Sequence, residues 1–185
     1  FGDDKVLVEK YLERPRHIEV QVIGDGTGKV VHLGERDCSL QRNNQKVLEE
    51  APSPALNDAA RKKIGQTVVD ALSRINYPSL GTVEFLYEDG EFYFIEMNPR
   101  LQVEHPITEA ITGIDLVREQ IRIAAGAPLS FSQEDIRFSG HAIECRVNAE
   151  HPTTFVPSPG IVGDFHAPGG LGVRVASALY AGYRI

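Results

Sequence analysis

The chain of 185 residues has no tryptophan, a single methionine and only two cysteines, Cys38 and Cys145. Two cysteines far apart in the sequence exclude a disulfide-rich scaffold, and no Cys/His metal spacing is present. A single disulfide between them stays open as an alternative, and we expect two buried free thiols in a reducing cytosol. No apolar run is long enough to cross a bilayer and no signal-peptide pattern is present, which indicates a cytoplasmic location without membrane partners. The formal net charge of −7 argues against a general nucleic-acid-binding protein.

The order of the apolar patterns predicts an α+β fold with an antiparallel sheet and flanking helices. Hydrophobic residues make up 42% of the chain and charged residues 24%, as in an ordinary globular domain with a sizeable core. The predicted elements are strands at 5–12, 17–23 and 29–33, a helix at 55–75, a hairpin at 81–98, a helical region at 107–125 divided by Gly113, a strand at 140–148, and short strands with turns in the Gly- and Pro-rich end.

The stretch GTVEFLYEDGEFYFIEMN is the most informative part of the sequence. Two apolar-aromatic runs flank Asp89-Gly90, which is a strong hairpin-turn signal. Glu96 and Asn98 share one face of the second strand, because side chains alternate along a strand. A two-residue turn would place Glu84 opposite Ile95 and turn Glu96 away, whereas an odd number of loop residues would bring the three polar side chains together. We predict that they converge, joined by an odd-numbered loop.

Two carboxylates and an amide oxygen on one face suit a hard cation such as Mg²⁺, which usually binds a few carboxylates together with nucleotide phosphates. Arg100, Gln102 and Glu104 continue the alternation beyond the strand. A cation site would therefore pass into an anion site with a carboxylate beside it. The alternative is a hairpin with a solvated polar edge, but strict alternation in an otherwise apolar strand favours the site.

Three other segments carry polar groups. Residues 34–50 form either an exposed loop and strand or a strand that lines the same cleft as the hairpin. The stretch GDGTGK at 24–29 lacks the spacing of a P-loop and precedes a strand rather than a helix, so we predict a hairpin turn there. The predicted strand at 140–148 carries Glu144 and Arg146 on one face.

The chain resembles biotin carboxylase, an ATP-grasp enzyme, over essentially all of its length, and is most similar to the separate biotin carboxylase subunit of bacterial acetyl-CoA carboxylase. The motif RLQVEHP is very specific to biotin-dependent carboxylases, whereas the Glu…Glu-x-Asn set occurs in many ATP-grasp enzymes. The matching segments are EKYLE at 9–13, PRHIEVQV at 15–22, ERDCSLQR at 35–42, QKVLEEAP at 45–52, GTVEFLYEDGEFYFIEMN at 81–98, RLQVEHPITE at 100–109, GHAIECRVNAE at 140–150 and FHAPGG at 165–170.

The resemblance implies a nucleotide site and a metal site. Glu84, Glu96 and Asn98 match the ligands of Mg²⁺ or Mn²⁺ ions that bridge the ATP phosphates. The implied nucleotide contacts are Glu9, Lys10, Leu12, His17, Gln41, Asn44 and Leu86, the last packing under the base. The sequence departs from the family's usual pattern at Asn43 and Asn44, where arginine and histidine are usual, and at Pro99, where threonine is commoner.

The resemblance also implies the residues of the reaction. Glu104 matches the general base that deprotonates bicarbonate before its attack on the γ-phosphorus. The carboxyphosphate formed in this way would release CO₂ and phosphate, and the phosphate would take the N1 proton of biotin. Arg146 matches the residue that stabilises the biotin enolate, and Arg100 matches the family's catalytic arginine. The implied bicarbonate contacts are Lys46, Arg100, Gln102 and the backbone of Val103.

We expect the chain to be a piece of a longer enzyme. The resemblance assigns residues 1–12 to the end of the ATP-grasp lid subdomain, 13–130 to the catalytic part and 131–185 to the start of a truncated biotin carboxylase C-terminal domain. The family's glycine-rich lid would precede the chain, so we expect the isolated chain to be inactive. The implied partners are the biotin carboxyl carrier protein, carboxyltransferase subunits and, in the whole protein, a second copy as a homodimer.

Three functions stay open at this point. The first is biotin carboxylation for acetyl-CoA carboxylase in fatty acid synthesis. The second is another ATP-grasp ligase, such as the carboxylase part of a pyruvate, propionyl-CoA or methylcrotonyl-CoA enzyme, or a carbamoyl phosphate synthetase, although the QVEH sequence and Arg146 argue against the last. The third is a non-catalytic assembly module, whose dimer surface would lie around Leu171 and Arg174.

Overall fold

The computed structural model describes residue 2 and residues 4–185. It divides into two compact units, one ending at Arg146 and the other comprising Val147–Ile185. The helices and strands, all in the first unit, are β1 (Arg16–Asp25), β2 (Val30–Arg42), β3 (Gln45–Ala51), α1 (Asp58–Arg74), β4 (Pro78–Glu88), β5 (Glu91–Asn98), α2 (His105–Thr112), α3 (Leu116–Ala124) and β6 (Ala142–Cys145), with a 3₁₀ turn at Gln133–Asp135.

The six strands form one antiparallel sheet in the order β5-β4-β1-β2-β3-β6. This confirms the α+β class and its antiparallel sheet. Strand β1 lies inside the sheet and is buried on both faces, although its sequence alternates polar and apolar residues. Its apolar side chains Val20 and Val22 pack on one face, while the equally buried Glu19 and Gln21 lie on the other. Polar groups buried in this way need partners within the protein.

Helix α1 covers the apolar face. Asn57 caps its first turn by accepting a hydrogen bond from the backbone of Ala60. Ile64, Val68 and Leu72 recur at helical spacing and pack against β1 and β4, as the periodicity predicts. Ile75, placed on the same stripe by sequence, follows the helix end and is 66% exposed.

Helices α2 and α3 cover the opposite face. Gly113 ends α2 in the left-handed conformation and separates it from α3, as predicted. Ile107 and Ile111 of α2 pack near Ala51, at one end of this face, while α3 packs over Leu80 and its neighbours at the other. The buried polar residues of β1 lie on this same face.

Several expectations are wrong in detail. Residues 5–12 form no strand, and Val6, Leu7 and Val8 are at least 84% exposed. An apolar segment becomes a strand only when a partner strand lies beside it. No described strand pairs with residues 5–12. Both cysteines are free, but only Cys38 is buried and Cys145 is exposed. Strand β6 is shorter than the predicted strand at 140–148.

The second unit was expected to alternate short strands with turns. Its described residues contain only two isolated bridges, Glu150 with Pro157 and Ile161 with Arg184. Pro152, Pro157 and Pro159 lack the backbone N–H that a ladder needs, which interrupts strand pairing in the first half of this part. Among the helices in the described residues, none has the length and apolar character that crossing a bilayer requires.

Candidate active site

The β4–β5 hairpin carries three polar side chains on one face. Its turn is the two-residue Asp89-Gly90, with φ values of 51° and 87° that fit a type I′ turn. The odd-numbered loop is therefore wrong. A bulge corrects the parity instead, because Phe85 pairs with Phe94 while Glu84 pairs with Glu96, which leaves Ile95 as an extra residue.

The convergence of Glu84, Glu96 and Asn98 is confirmed. The Asn98 Nδ2 donates hydrogen bonds to Glu84 Oε1 at 2.9 Å and to Glu96 Oε1 at 3.1 Å. One positively polarised group thus lies between two carboxylates, at a point where a cation would find oxygen ligands. The carboxylate of Glu84 also lies close to the carboxylate of Glu19 and to the imidazole ring of His17. One oxygen of each glutamate and one ring nitrogen of His17 all lie within 4.8 Å of one another. The residues present fit a hard divalent cation.

Glu84 is 5% exposed and is held in its ionised form. Burial alone would raise its pKa, but hydrogen bonds from His17 Nε2 at 2.7 Å and Lys46 Nζ at 3.0 Å lower the pKa to about 2. Gln102 Nε2 donates to the same carboxylate at 2.8 Å. A charged carboxylate at neutral pH is the form that binds a metal ion.

Lys46 is the central cation of the site. It follows the tight turn at Asn43 and Asn44, which have φ values of 51° and 61°. Its Nζ donates to Glu104 Oε1 at 2.8 Å and also contacts Glu19 and Glu84. Burial works to lower the pKa of Lys46, but the carboxylates, Glu19 foremost, raise it, so the ammonium stays charged.

Glu104 and Arg146 form the second part of the site. Glu104 is 2% exposed and accepts hydrogen bonds from Lys46 and from Arg146 Nη2, the latter at 2.8 Å. Burial opposes ionisation, but Lys46 lowers the pKa of Glu104 and keeps it a carboxylate. Arg146 Nε in turn donates to Glu49 Oε1 at 2.6 Å. A charged carboxylate between two cations can accept a proton from a substrate that reaches it.

These side chains open on a single cleft of about 500 Å³. Arg100 lies at its exposed side, where Nη2 donates to Asn98 Oδ1 at 3.1 Å. The cleft brings together twelve of the sixteen predicted site residues, which together with Ile95 form its lining: His17, Gln41, Asn44, Lys46, Glu84, Glu96, Asn98, Arg100, Gln102, Val103, Glu104 and Arg146.

The other four predicted residues do not line the cleft. Glu9 is exposed, and Lys10 donates to the Tyr93 hydroxyl at 2.7 Å, outside the cleft. Leu12 is 9% exposed, and Leu86 is half-buried on β4. Three of these residues lie on the irregular segment before β1.

The sequence analysis did not identify Arg36, which holds Glu19 and the cleft residue Gln102 through hydrogen bonds. This fully buried side chain uses its five N–H groups on partners from several elements. They are Glu19 at 2.5 Å, Gln21 at 2.6 Å, Thr108 at 2.9 Å, Gln102 at 3.1 Å and Thr82 at 3.2 Å. The polar alternation of β1 was a usable signal, because buried Glu19 and Gln21 require a donor.

A bulge in β2 places Arg36 on this face. Val22 of β1 pairs with His32 of β2, and Val20 pairs with Glu35. Between these two pairs β1 advances by two residues and β2 by three, so β2 contains one extra residue. Gly34 lies in this bulge with φ 81°, and a Cβ there would meet the Phe138 ring at 2.7 Å. If β2 paired with β1 in a regular ladder throughout, Arg36 would instead lie opposite Ile18, on the face that α1 covers.

The chain is similar to known protein families and to solved structures. A family described as carbamoyl-phosphate synthase L chain, ATP binding domain, matches residues 1–132, and one described as biotin carboxylase C-terminal domain matches residues 144–185. Biotin carboxylase of Allochromatium vinosum is 60% identical over the whole chain, which spans 41% of that protein. One of the pyruvate carboxylase subunits of Methanothermobacter thermautotrophicus is 58% identical, and the whole chain spans 38% of it.

The chain is also similar to a solved structure. It is the biotin carboxylase domain dimer of Hydrogenobacter thermophilus 2-oxoglutarate carboxylase, in complex with MgADP, ADP and bicarbonate. The TM-score is 0.93 at 57% identity, covering 96% of this chain and 40% of that one. The chain therefore spans about two fifths of the proteins it matches.

Proposed function

The chain belongs to the biotin carboxylase family of ATP-grasp proteins, and from that premise we propose that it forms the central part of an enzyme that carboxylates carrier-bound biotin with ATP and bicarbonate. One observation carries the proposal. Glu104 lies between the cations Lys46 and Arg146 and opens on the same cleft as Glu84. A general base, an anion site and a cation site are thus adjacent, as phosphoryl transfer to an oxyanion requires.

Glu84, Glu96 and Asn98 would hold Mg²⁺ or Mn²⁺, which neutralises phosphate charge when bound. His17, Gln41 and Asn44 line the cleft beside these residues and would contact the nucleotide. Glu9, Lys10, Leu12 and Leu86 stay predictions for adenine and ribose. The related Hydrogenobacter structure holds MgADP and bicarbonate, which supports this assignment.

Lys46, Arg100, Gln102 and the backbone of Val103 would bind bicarbonate. Glu104 would take the bicarbonate proton, so that the oxyanion attacks the γ-phosphorus and ADP leaves with the electrons of the broken P–O bond. Carboxyphosphate would then break into CO₂ and phosphate, and the phosphate would take the N1 proton of biotin. N1 would attack CO₂ while Arg146 stabilises the negative charge on the enolate oxygen.

The proposal also names the molecule that finally receives the carboxyl group from biotin. We propose acetyl-CoA carboxylase and fatty acid synthesis, in the cytoplasm, with a biotin carboxyl carrier protein and carboxyltransferase subunits as partners. The 58% identity to a protein of pyruvate carboxylase supports a keto acid carboxylase as the second candidate. A carbamoyl phosphate synthetase is disfavoured by the match of residues 144–185 to the biotin carboxylase C-terminal domain.

The dimer in the Hydrogenobacter structure supports a homodimer of the whole protein. The domain limits at 12/13 and 130/131 remain predictions. We also propose that the chain works within a longer polypeptide, since the relatives extend well beyond it.

The test is ATP hydrolysis by the complete gene product that carries this sequence, measured with and without bicarbonate and with and without free biotin. Bicarbonate-dependent ADP release that biotin stimulates is the expected result. ATP hydrolysis at a rate that depends on neither bicarbonate nor biotin would contradict the proposal. No ATP hydrolysis by a folded protein would favour the non-catalytic assembly module. Supplying acetyl-CoA carboxyltransferase or pyruvate carboxyltransferase components then distinguishes the two acceptors.

A further inference from the structure

Two carboxylates, Glu49 fully buried and Glu144 partly buried, face each other beside the cleft and have no part in the chemistry described so far. Glu49 on β3 and Glu144 on β6 are directly opposite in the sheet register, and such residues have Cβ atoms roughly 4.5–5.5 Å apart. Glu49 is fully buried. In the described part of the chain, the Oε2 atoms of both residues are buried without a hydrogen-bond partner.

This arrangement is unfavourable if both groups are ionised. Two adjacent buried carboxylates repel each other, and each unpaired oxygen loses its hydration without compensation. A single proton removes both problems, because the O–H of one acid can donate to the Oε2 of the other. The charges that act on Glu144 are those of Glu49 on β3, Arg146 directly after β6, Glu104 before α2 and Arg36 on β2.

The electrostatics agree with the geometry. Burial, followed by the negative charge of Glu49, raises the pKa of Glu144 to about 7. Burial also raises the pKa of Glu49, although Arg146 opposes it. The proton therefore resides mainly on Glu144, and the negative charge stays on Glu49 beside the guanidinium.

Glu49 connects the pair to the cleft. Its Oε1 accepts from Arg146 Nε at 2.6 Å, while Arg146 Nη2 donates to Glu104 at 2.8 Å. The guanidinium plane is fixed by these two contacts on different groups. A hydrogen bond from Glu144 to Glu49 Oε2 would restrict the Glu49 carboxylate to one orientation. Because Glu49 Oε1 accepts from Arg146 Nε, the guanidinium of Arg146 is then restricted as well.

We propose that Glu49 and Glu144 share one proton and that this acid–carboxylate pair is a positioning device for Arg146. The positioning role rests on the proposed biotin carboxylation, in which Arg146 acts at the biotin step. Loss of the shared proton would leave two like charges in contact and release Glu49 from its fixed orientation. The pair thus serves the biotin step rather than the cleavage of ATP.

The shared proton is tested directly by ¹³C NMR of the complete gene product labelled at glutamate Cδ. One glutamate resonance should titrate near pH 7, and it should disappear in Glu144→Gln. A water molecule bridging two ionised carboxylates would instead leave every glutamate titrating below about pH 5.5, which would overturn the proposal.

The positioning role is tested by the ratio of biotin-dependent to biotin-independent ATP cleavage. Glu144→Leu, which has no donor, should lower this ratio through kcat by roughly 10-fold or more, with the KM for ATP unchanged. Glu144→Gln keeps a donor to Glu49 and should restore the ratio. Glu50→Gln is the matched control, because Glu50 is next in sequence but contacts His141 on the other face.

A Glu144→Leu protein with the wild-type ratio would refute the positioning role. If that variant does not fold, Glu144→Asp offers a shortened acid and should lower the ratio in the same direction. If the wild-type protein shows no biotin-stimulated cleavage, the proposed function fails, whereas the NMR titration still decides whether the proton is shared.

Discussion

Glu84 and Glu96 lie directly opposite each other on β4 and β5, although a two-residue turn joins these strands. A regular ladder would place Ile95 opposite Glu84 and turn Glu96 to the face that α1 covers. The bulge at Ile95 prevents this, and Asn98 then follows on the same side as both glutamates. With this sequence, the bulge therefore brings Glu96 and Asn98 onto the face of Glu84 despite the even-numbered turn.

Deletion of Ile95 should leave the cation site intact, because the remaining residues keep their faces in a regular ladder. Deletion of Met97 should destroy the site, because Asn98 would then turn toward the core cluster that Met97 contacts. We expect Mn²⁺ affinity, measured by electron paramagnetic resonance, to change less than about 3-fold in the first variant and to fall by about 10-fold or more in the second. Equal losses in two folded variants would contradict this account.

Gly34→Ala should be more destabilising than Gly90→Ala, although both glycines have similar φ values of 81° and 87°. The left-handed backbone alone costs about 1–2 kcal/mol for a residue with a Cβ. At Gly34 the Cβ would also meet Phe138 at 2.7 Å, whereas Gly90 has no atom within 4 Å. Urea unfolding should show an additional loss of about 1–3 kcal/mol at Gly34.

The crowding is tested separately from the backbone. Phe138→Leu combined with Gly34→Ala should recover part of the additional loss, because the smaller side chain gives the Cβ room. No recovery in the double variant would show that the backbone conformation alone sets the cost.

The sequence was sufficient for features that depend on local pattern. The spacing of Ile64, Val68 and Leu72 predicts α1, and the alternation in β1 predicts a strand with two different faces. The same alternation placed Glu96 and Asn98 on one face of β5, whereas Glu84 joins them through the bulge. Local periodicity identifies the face on which a side chain lies, and this is enough where the ladder is regular.

The sequence was not sufficient where the ladder is irregular or where the partner is distant. Neither bulge was anticipated. Ile95 does not differ from an ordinary strand residue, and Gly34, although glycine in a strand often marks a bulge, follows directly on the predicted end of the strand at residue 33. The five contacts of Arg36 come from elements far apart in the chain, and no local pattern reports them. Residues 5–12 failed for the related reason that strand formation depends on a neighbour.

Arg36→Met should strongly destabilise the protein. Its loss leaves Glu19 buried with Lys46 as its remaining cation, and Gln21 without its donor. Removing one partner of a buried ion pair typically costs about 3–5 kcal/mol. Thr108→Val removes only one of the five contacts and should cost about 1 kcal/mol.

The free energy of unfolding from urea titration measures both variants. A cost for Arg36→Met no greater than that for Thr108→Val would show that the network contributes little. The KM for bicarbonate should also rise in Arg36→Met, because Gln102 loses the contact that orients its amide.

The contribution of Glu144 to stability should fall as the pH rises from about 4.5 through 7, and Glu144→Gln should remove this fall. The pKa of Glu144 is raised in the folded state to about 7 from the ordinary value of 4.5. Its contribution is therefore fully present below the unfolded pKa and is lost as the pH passes the folded pKa. The difference approaches roughly 3 kcal/mol at most. Urea unfolding of both proteins at pH 5 and pH 8 measures it, and parallel losses would count against a raised pKa.

Glu104→Gln should preserve nucleotide binding but lower bicarbonate-dependent ATP cleavage by roughly 100-fold or more, the usual scale for loss of a general base. The glutamine keeps an oxygen that can accept from Lys46, so the fold of the cleft should survive. It cannot take the bicarbonate proton. Steady-state kinetics on the complete gene product and a separate measurement of ATP affinity check the two halves of this expectation.

Comparing Arg146→Ala with Glu104→Gln distinguishes a catalytic role of Glu104 from a purely structural one. Both side chains belong to one ion pair at 2.8 Å, so a purely structural role would predict the same defect in both variants. We expect different defects, because Glu104 acts on bicarbonate and Arg146 on biotin. Arg146→Ala should retain most bicarbonate-dependent ATP cleavage and lose its stimulation by biotin, whereas Glu104→Gln should lose both. If Glu104→Gln turns over at the wild-type rate, Glu104 is not the base, and its contacts with Lys46 and Arg146 serve only to hold the start of α2 in place.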